Sequence, residues 1–382
     1  MKVALLSTFG PEVRGISYYS DCLLRALNAV DAIQVMPVDY AKIYPDWLHP
    51  AQKSPPKQNN LRVLHYARPW TWSLKRYQPD LIHLQAWTFA TALMHRRVLG
   101  EAKRLGIPTV LTLHNPAAHE MAGLPAWLQN SCLRLADALV IHDACGLTAI
   151  PSQWRPKVHV IHHGTESLVL SDRDLQAADH TSPYLLYFGN IRPYKGVDLL
   201  LAAWQDLAAE YPQFRLIVAG QLWQGETLLS RVVARLLGTE KHGRIIRQLL
   251  DDPGLLNVES RLGFIADDEL DRLIRQARYA IFPYRRFSGH SGAVSRAAAQ
   301  GVPVLVSDVG GLASLATGRE NVFQAGNQES LRALLRRKLE LPGSNLPERR
   351  LQLRRAQDMS WNHAASLHTS LYEELLRAAR KK

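Results

Sequence analysis

Short apolar runs, each followed by a stretch with helical spacing, recur along the whole of this 382-residue chain. That alternation limits the fold more than any single motif does. A first series of runs lies at residues 2–7, 33–38, 80–84, 109–113, 138–141 and 158–161, and a second at 184–188, 215–219, 279–282 and 304–306. Between them, residues 17–30 place Tyr18, Cys22, Leu23, Ala26 and Leu27 on one helical face, and residues 91–105 and 293–300 read the same way. Apolar strands alternating with helices form parallel sheets covered on both faces. A polar stretch, 168–183, ends in Pro183 and reads as a linker. The expectation is an α/β chain with two doubly wound, Rossmann-like domains facing a cleft, residues 1–167 and 184–358. In such sheets ligands lie beyond the carboxyl ends of the strands.

Composition removes several classes. With 21% charged and 47% hydrophobic residues the chain reads as globular. The opening apolar run stops at Ser7, too short for a secretory leader, and no apolar stretch reaches the roughly 18 residues of a membrane span. Cys22, Cys132 and Cys145 are odd in number and form no CxxC, so neither a disulfide framework nor a zinc site is expected. These features point to the cytoplasm. A net charge of +12, spread through both halves, favours an anionic partner: a phosphorylated small molecule, an acidic membrane face or nucleic acid. No nucleic-acid-binding motif accompanies the charge, so nucleic acid is not expected. Residues 226–252 are strongly basic with apolar residues at helical spacing. They suit either a covering helix or a surface that touches an anionic membrane, where the protein would be peripheral. Residues 39–60 read as a long surface loop.

Three places could carry chemistry. Residues 281–312, IFPYRRFSGHSGAVSRAAAQGVPVLVSDVGGL, read as strand, Ser/Gly loop (Ser288, Gly289, His290, Ser291, Gly292), helix and strand. Glycines between a strand end and a helix start bare backbone N–H groups at the positive end of the helix dipole, which makes either an anion cradle or an ordinary turn. Residues 189–196, GNIRPYKG, follow the first strand of the second series and hold Asn190, Arg192 and Lys195 in a turn. A phosphate there would gain charge-assisted hydrogen bonds of roughly 1.5–3 kcal/mol each. In the first half, His114 ends a strand, with His119 and Glu120 following as a hydroxyl clamp or an acid/base pair. His162-His163-Gly164 reads as structural or hinge-forming. No P-loop, no GxGxxG after the first strand and no GxSxG is present.

Taken together, GNIRPYKG, the FPY strand, the SGHSG loop and AAAQGVPVLVSDVGG resemble the retaining GT-B glycosyltransferases of family 4, also called group 1. In the first half Gly15-Ile16-Ser17-Tyr18-Tyr19-Ser20, TLHNPAAHE, ADALVIHD and VHVIHHG fall in the order the resemblance requires. The resemblance implies a nucleotide-sugar donor held mostly by the second domain and an acceptor held mostly by the first, through His119 and Glu120. Arg192 and Lys195 would clamp the donor diphosphate, with Gly15, Ser17 and Asn190 nearby. The 288–292 loop would hold sugar hydroxyls and phosphate, His114 would reach the donor sugar, and Phe264 would pass the nucleobase. The helix in 359–382 would return to the first domain. No metal and no other cofactor is expected. The sequence departs from the family where glutamates should stand at positions 288 and 296: Ser288 and Arg296 are there instead. An arginine cannot accept from ribose hydroxyls; it could add charge toward phosphate or pair elsewhere. Arg192 also stands three residues before the lysine, where the family arginine stands five before, at Asn190. The function expected is transfer of a hexose to a glycan or lipid-linked oligosaccharide in surface polysaccharide synthesis. The alternatives are another GT-B enzyme, a sugar-nucleotide epimerase or glycoside phosphorylase, or a non-catalytic sugar or nucleotide binder.

Overall fold

A computed structural model of the protein describes residues 1–10, 16–42, 62–65, 77–87, 91–114, 126–166, 170–179, 184–222, 239–287, 290–341 and 343–381. They form two compact units. Unit 1 comprises Met1–Gly164 and Met359–Lys382 together with His290, and unit 2 comprises Thr165–Phe287 and Ser291–Asp358.

Unit 1 is built on β1 (Lys2–Ser7), β2 (Gln34–Lys42), β3 (Arg62–His65), β4 (Leu81–Ala86), β5 (Thr109–Leu113), β6 (Ala138–Ile141) and β7 (Val158–Val160), in the order β3-β2-β1-β4-β5-β6-β7. All neighbours are parallel. Successive side chains of a strand point to opposite faces, so each strand feeds two cores. Ala4, Leu6, Ile82, Leu84 and Leu111 meet Met94, Val98 and Leu99 of the helix Ala92–Arg104 on one face. Val3, Leu5, Leu81, Val110 and Val140 pack on the other face with Tyr19, Leu23 and Leu27 of the helix Ile16–Asn28. The C-terminal helix, Trp361–Arg380, joins this second core through Trp361, Ala364, Ala365, Leu371 and Tyr372. Its N-terminus is capped by Ser360, whose hydroxyl accepts from the His363 N–H. Burying a side chain the size of Leu371 contributes about 1.5–3 kcal/mol, which holds the end of the chain on unit 1.

Unit 2 repeats the plan with β8 (Tyr184–Phe188), β9 (Arg215–Gly220), β10 (Val258–Leu262), β11 (Tyr279–Phe282), β12 (Val304–Ser307) and β13 (Val322–Phe323), ordered β10-β9-β8-β11-β12-β13 and parallel throughout. Counted from its own first strand, each sheet runs 3-2-1-4-5-6, the doubly wound order, with β7 extending the first. Leu200, Trp204 and Leu207, one stripe of the helix Val197–Ala208, are fully buried against Leu216, Val218 and Ile281. The buried Trp204 indole N–H donates to the Leu256 carbonyl.

The structure differs from the sequence expectation in four places. β3, β10 and β13 carry no apolar run: β10 is VESRL, a partly exposed edge strand, and β13 has only two residues. The stretch taken as a linker holds a helix, Asp172–Asp179. Ser171 and Asp174 cap it reciprocally, Leu175 is buried, and Asp172 pairs with Arg350. That helix belongs to unit 2, and the division between units falls at Gly164. Residues 39–42 continue β2, whereas 43–61 lie outside the described residues. Within 226–252, the helix Thr239–Leu250 buries Ile246 in the unit 2 core, as a covering helix would, and 226–238 lie outside the described residues. Cys22, Cys132 and Cys145 form no disulfide. No described helix is long and apolar enough to cross a membrane.

Candidate active site

In unit 2 the strand order reverses between β8 and β11, and the loops after those two strands are GNIRPYKG and the segment leading to Ser291. Ligands of doubly wound sheets gather at such a reversal. The first loop turns through a short 3₁₀ segment, Pro193–Lys195, and ends at Gly196, whose φ of 67° favours glycine. A Cβ on Gly196 would collide with the Pro283 carbonyl oxygen, so the two loops touch through backbone. The Arg285 N–H donates to the Tyr194 carbonyl at 2.7 Å and ties them further.

Lys195 is half-buried, its ammonium 5.0 Å from the centre of the Tyr284 ring. A Cβ built on Gly189 would lie 3.6 Å from Lys195 Nζ and 3.8 Å from Ala293 Cβ. The bare Cα of Gly189, the ammonium and the first turn of the helix Gly292–Ala299 therefore converge. Ser291 precedes that helix, but its hydroxyl makes no cap hydrogen bond; it lies 3.0 Å from the Tyr284 hydroxyl. The first N–H groups of the helix are thus not claimed by its N-cap side chain. Burial pulls the Lys195 pKa below the usual lysine range, Tyr194 opposes that, and the nearby Arg192 adds to it. Among the described residues no carboxylate forms an ion pair with Lys195. A desolvated cation without an anionic partner is costly to keep, and an anion beside it recovers that cost. Arg192, half-buried, stands at the head of the same turn.

Of the two roles open to Arg296, the structure shows pairing. Its guanidinium donates to Asp271 and Asp267 at 2.8 Å each and to the Asp267 carbonyl at 3.1 Å, in the first turns of the helix Asp267–Gln276. Gln300 donates to the same Asp271 carboxylate. Phe264 follows Gly263 after β10 and is 74% exposed. Asn190 is exposed, and its carbonyl accepts from the Tyr187 hydroxyl. The sequence does hold one Asp-x-Asp triplet that sequence reading missed, Asp172-Arg173-Asp174, and it is committed to the helix start and to Arg350, away from these loops in the chain.

In unit 1, histidines stand at the carboxyl ends of three adjacent strands. His114 follows β5, His142 follows β6 and His163 lies beyond β7. Tyr19 sits among them, its ring 4.5 Å from His114, 5.2 Å from His142, 4.9 Å from His163 and 5.1 Å from Trp361. His114 Nε2 lies 2.7 Å from the Gln85 amide and His114 Nδ1 lies 3.1 Å from His142 Nε2. His142 Nδ1 is 3.0 Å from the Ile161 carbonyl oxygen. On β4, two residues before Gln85, His83 meets Gln85 at 3.0 Å, Thr112 at 2.7 Å and Tyr372 at 2.6 Å. Burial holds these imidazoles neutral, lowering His142 to about 4 and His83 and His163 to about 3, with His114 and His290 well below the ordinary value. His290 stacks flat on His163, ring centres 4.2 Å apart. The 162–163 pair taken as structural or hinge-forming therefore contributes His163 to this cluster. Ser17, in the helix after β1, donates its hydroxyl to Thr8 and is buried. Gly15, His119, Glu120, Ser288 and Gly289 lie outside the described residues. Sequence reading passed over Gln85, His142 and Tyr19; a histidine within two residues of three successive strand ends was the available signal.

The family model described as "Glycosyl transferases group 1" matches residues 171–357, and "Glycosyltransferase Family 4" matches residues 35–167. The chain belongs to this glycosyltransferase family. It is 27% identical over 335 residues to the D-inositol 3-phosphate glycosyltransferase of Streptomyces avermitilis, covering 79% of this chain and 67% of that protein. It is 23% identical over 323 residues to glycogen synthase of Mycobacterium tuberculosis, covering 80% of this chain and 72% of that one. Among solved structures, HepE of Anabaena in complex with UDP superimposes with a TM-score of 0.68 at 16% identity, over 98% of this chain and 100% of HepE. At that identity the likeness is one of fold, and the fold is GT-B. Within this group 1 transferase, then, position 296 carries a cation bound by two aspartates where the resemblance leads one to expect a glutamate.

Proposed function

We propose that this protein is a retaining, metal-independent hexosyltransferase. It takes a nucleotide sugar as donor and passes the hexose to a glycan or lipid-linked oligosaccharide acceptor in surface polysaccharide synthesis. The observation that carries the reading is the convergence of Lys195 Nζ, Gly189 and the first turn of the helix Gly292–Ala299. A desolvated ammonium beside backbone N–H groups that the N-cap side chain does not cap suits a diphosphate. The likeness to HepE, solved with UDP, supports the same class of donor.

In the reaction the bond between sugar C1 and the diphosphate oxygen breaks, and its electron pair leaves with the diphosphate. Lys195 and the helix start take up that growing charge, which is where preorganised donors lower a barrier. The acceptor hydroxyl oxygen bonds C1 on the same face, and its proton passes to the departing phosphate oxygen. Arg192 adds charge at the head of the turn. The resemblance to the family gives His114 the role of reaching the donor sugar.

The test is release of nucleoside diphosphate from UDP-, GDP- and ADP-sugars offered with lipid-linked acceptors, measured with and without EDTA. Turnover with at least one donor, lost in Lys195→Ala, is expected. Epimerised or phosphorolysed donor without any acceptor would replace this reading, as would turnover abolished by EDTA. Peripheral membrane binding through the basic 226–252 stretch belongs to the same proposal. Sedimentation with anionic vesicles that fades as salt rises is its expected sign, and indifference to vesicle charge would remove it.

A further inference from the structure

We infer that His142 and Gln85 are positioning residues that hold His114 as its Nδ1–H tautomer and keep its Nε2 an acceptor. A buried chain of polar groups fixes where each proton sits. It runs from the Ile161 carbonyl through His142, His114, Gln85 and His83 to Tyr372, with separations of 3.0, 3.1, 2.7, 3.0 and 2.6 Å. His83 and Tyr372 are fully buried, as is Gln85, and His114 and His142 are each 8% exposed.

A carbonyl oxygen only accepts, so His142 carries its proton on Nδ1 and offers a bare Nε2. His114 must then donate from Nδ1, which leaves its Nε2 bare. The structure places Gln85 Oε1 at His114 Nε2 and Gln85 Nε2 at His83 Nε2; the proton count requires the two ends exchanged, the amide nitrogen toward His114 and the oxygen toward His83, an exchange that leaves the shape of the side chain unchanged. His83 donates from Nε2, shared between Gln85 and Thr112, and accepts from the Tyr372 hydroxyl at Nδ1. Every member is satisfied with all three imidazoles neutral. The opposite amide orientation sets Oε1 against His114 Nε2 and forces a proton onto that nitrogen. One imidazole would then have to be a cation, or a nitrogen lone pair would face the Ile161 carbonyl. Burial lowers all three pKa values, and the charges acting on His114 are other histidines rather than carboxylates, so nothing stabilises that cation.

The direction of the chain is fixed at one end by the Ile161 carbonyl beyond β7, which can only accept, while the Tyr372 hydroxyl at the other end can donate or accept and adapts to it. Its consequence for catalysis rests on the proposed place of His114 at the donor sugar. A bare Nε2 accepts from a sugar hydroxyl once Gln85 yields, whereas an Nε2–H would donate.

The test is ¹⁵N NMR of the histidine-labelled full chain, with His114 assigned by its loss in His114→Gln. At neutral pH the wild type is expected to show His114 protonated at Nδ1 and bare at Nε2. In His142→Phe, which removes the acceptor, His114 should shift to the Nε2–H tautomer; His142→Gln, whose amide oxygen can accept, should restore Nδ1–H. Turnover should fall about tenfold in His142→Phe, the worth of one buried hydrogen bond, with KM for donor little changed, and recover in His142→Gln. A wild-type His114 protonated at Nε2 or at both nitrogens overturns the inference, as does a tautomer unmoved in His142→Phe. If that variant does not fold, the wild-type spectrum decides by itself. A tautomer that shifts as stated with turnover unchanged upholds the lock and instead removes His114 from the reaction.

Discussion

Lys195 is where a single side chain bears most on function. Its ammonium is half-buried beside Gly189 and lies 5.0 Å from the centre of the Tyr284 ring. Lys195→Ala is expected to lower turnover by about 100-fold while leaving the thermal melting transition in place, since the residue contributes charge rather than core packing. The same burial predicts a pH dependence. Lys195 loses its proton at a lower pH than a free lysine, and only the protonated form attracts a diphosphate. Affinity for nucleoside diphosphate should therefore decline on the alkaline side earlier than an exposed lysine would allow, and titration calorimetry across that range should find the decline absent in Lys195→Ala. Arg296 is the second decisive residue. Arg296→Glu, which restores the residue type expected from the family, would set a third carboxylate beside Asp267 and Asp271. It should destabilise the protein by about 1–3 kcal/mol in urea unfolding, and adding Asp271→Asn should recover part of the loss. Full stability in the single variant would show that this pairing does not hold the helices Asp267–Gln276 and Gly292–Ala299 together.

At the scale of elements, the two loops after β8 and β11 matter because they touch through backbone. Gly196 has a left-handed φ and lies against the Pro283 carbonyl, so Gly196→Ala must both strain the turn and push the loops apart. A loss of about 1–3 kcal/mol is expected, with weaker nucleoside diphosphate binding in the same variant. Wild-type stability and binding would mean the loops tolerate separation. GNIRPYKG was legible in sequence because glycines and basic residues fall within eight residues of a strand end, and the FPY strand because its apolar run stops at a proline. The partner of Arg296 was not legible. Asp271 is 25 residues away, and only the approach of two helices brings it within 2.8 Å. β10 escaped for a different reason: an edge strand such as VESRL needs no apolar face, so its sequence has none.

For the whole molecule, the buried and half-buried histidines of unit 1 make stability depend on pH. His83 and His163 titrate at about 3 and His142 at about 4 when folded, against 6.5 when unfolded. Unfolding therefore takes up protons below pH 6.5. Stability is complete above that value and falls as pH drops toward the folded values, by about 1.4 kcal/mol per pH unit for each histidine. Urea midpoints should decline between pH 7 and pH 5, a window in which ordinary carboxylates are already ionised, and a flat profile there would show that these imidazoles are solvated. Strand runs, helical spacing and turn glycines were enough to read two parallel α/β units and the likeness to group 1 transferases, because those signals are local and periodic. They could not show that Asp172–Asp179 packs as a helix of unit 2, that Arg296 is spent on two aspartates, or that His83, Gln85, His114, His142 and Tyr372 form one chain. Those facts depend on residues as many as 289 positions apart meeting in a buried space, where each unpaired proton is expensive, and only the packed sheets bring them together.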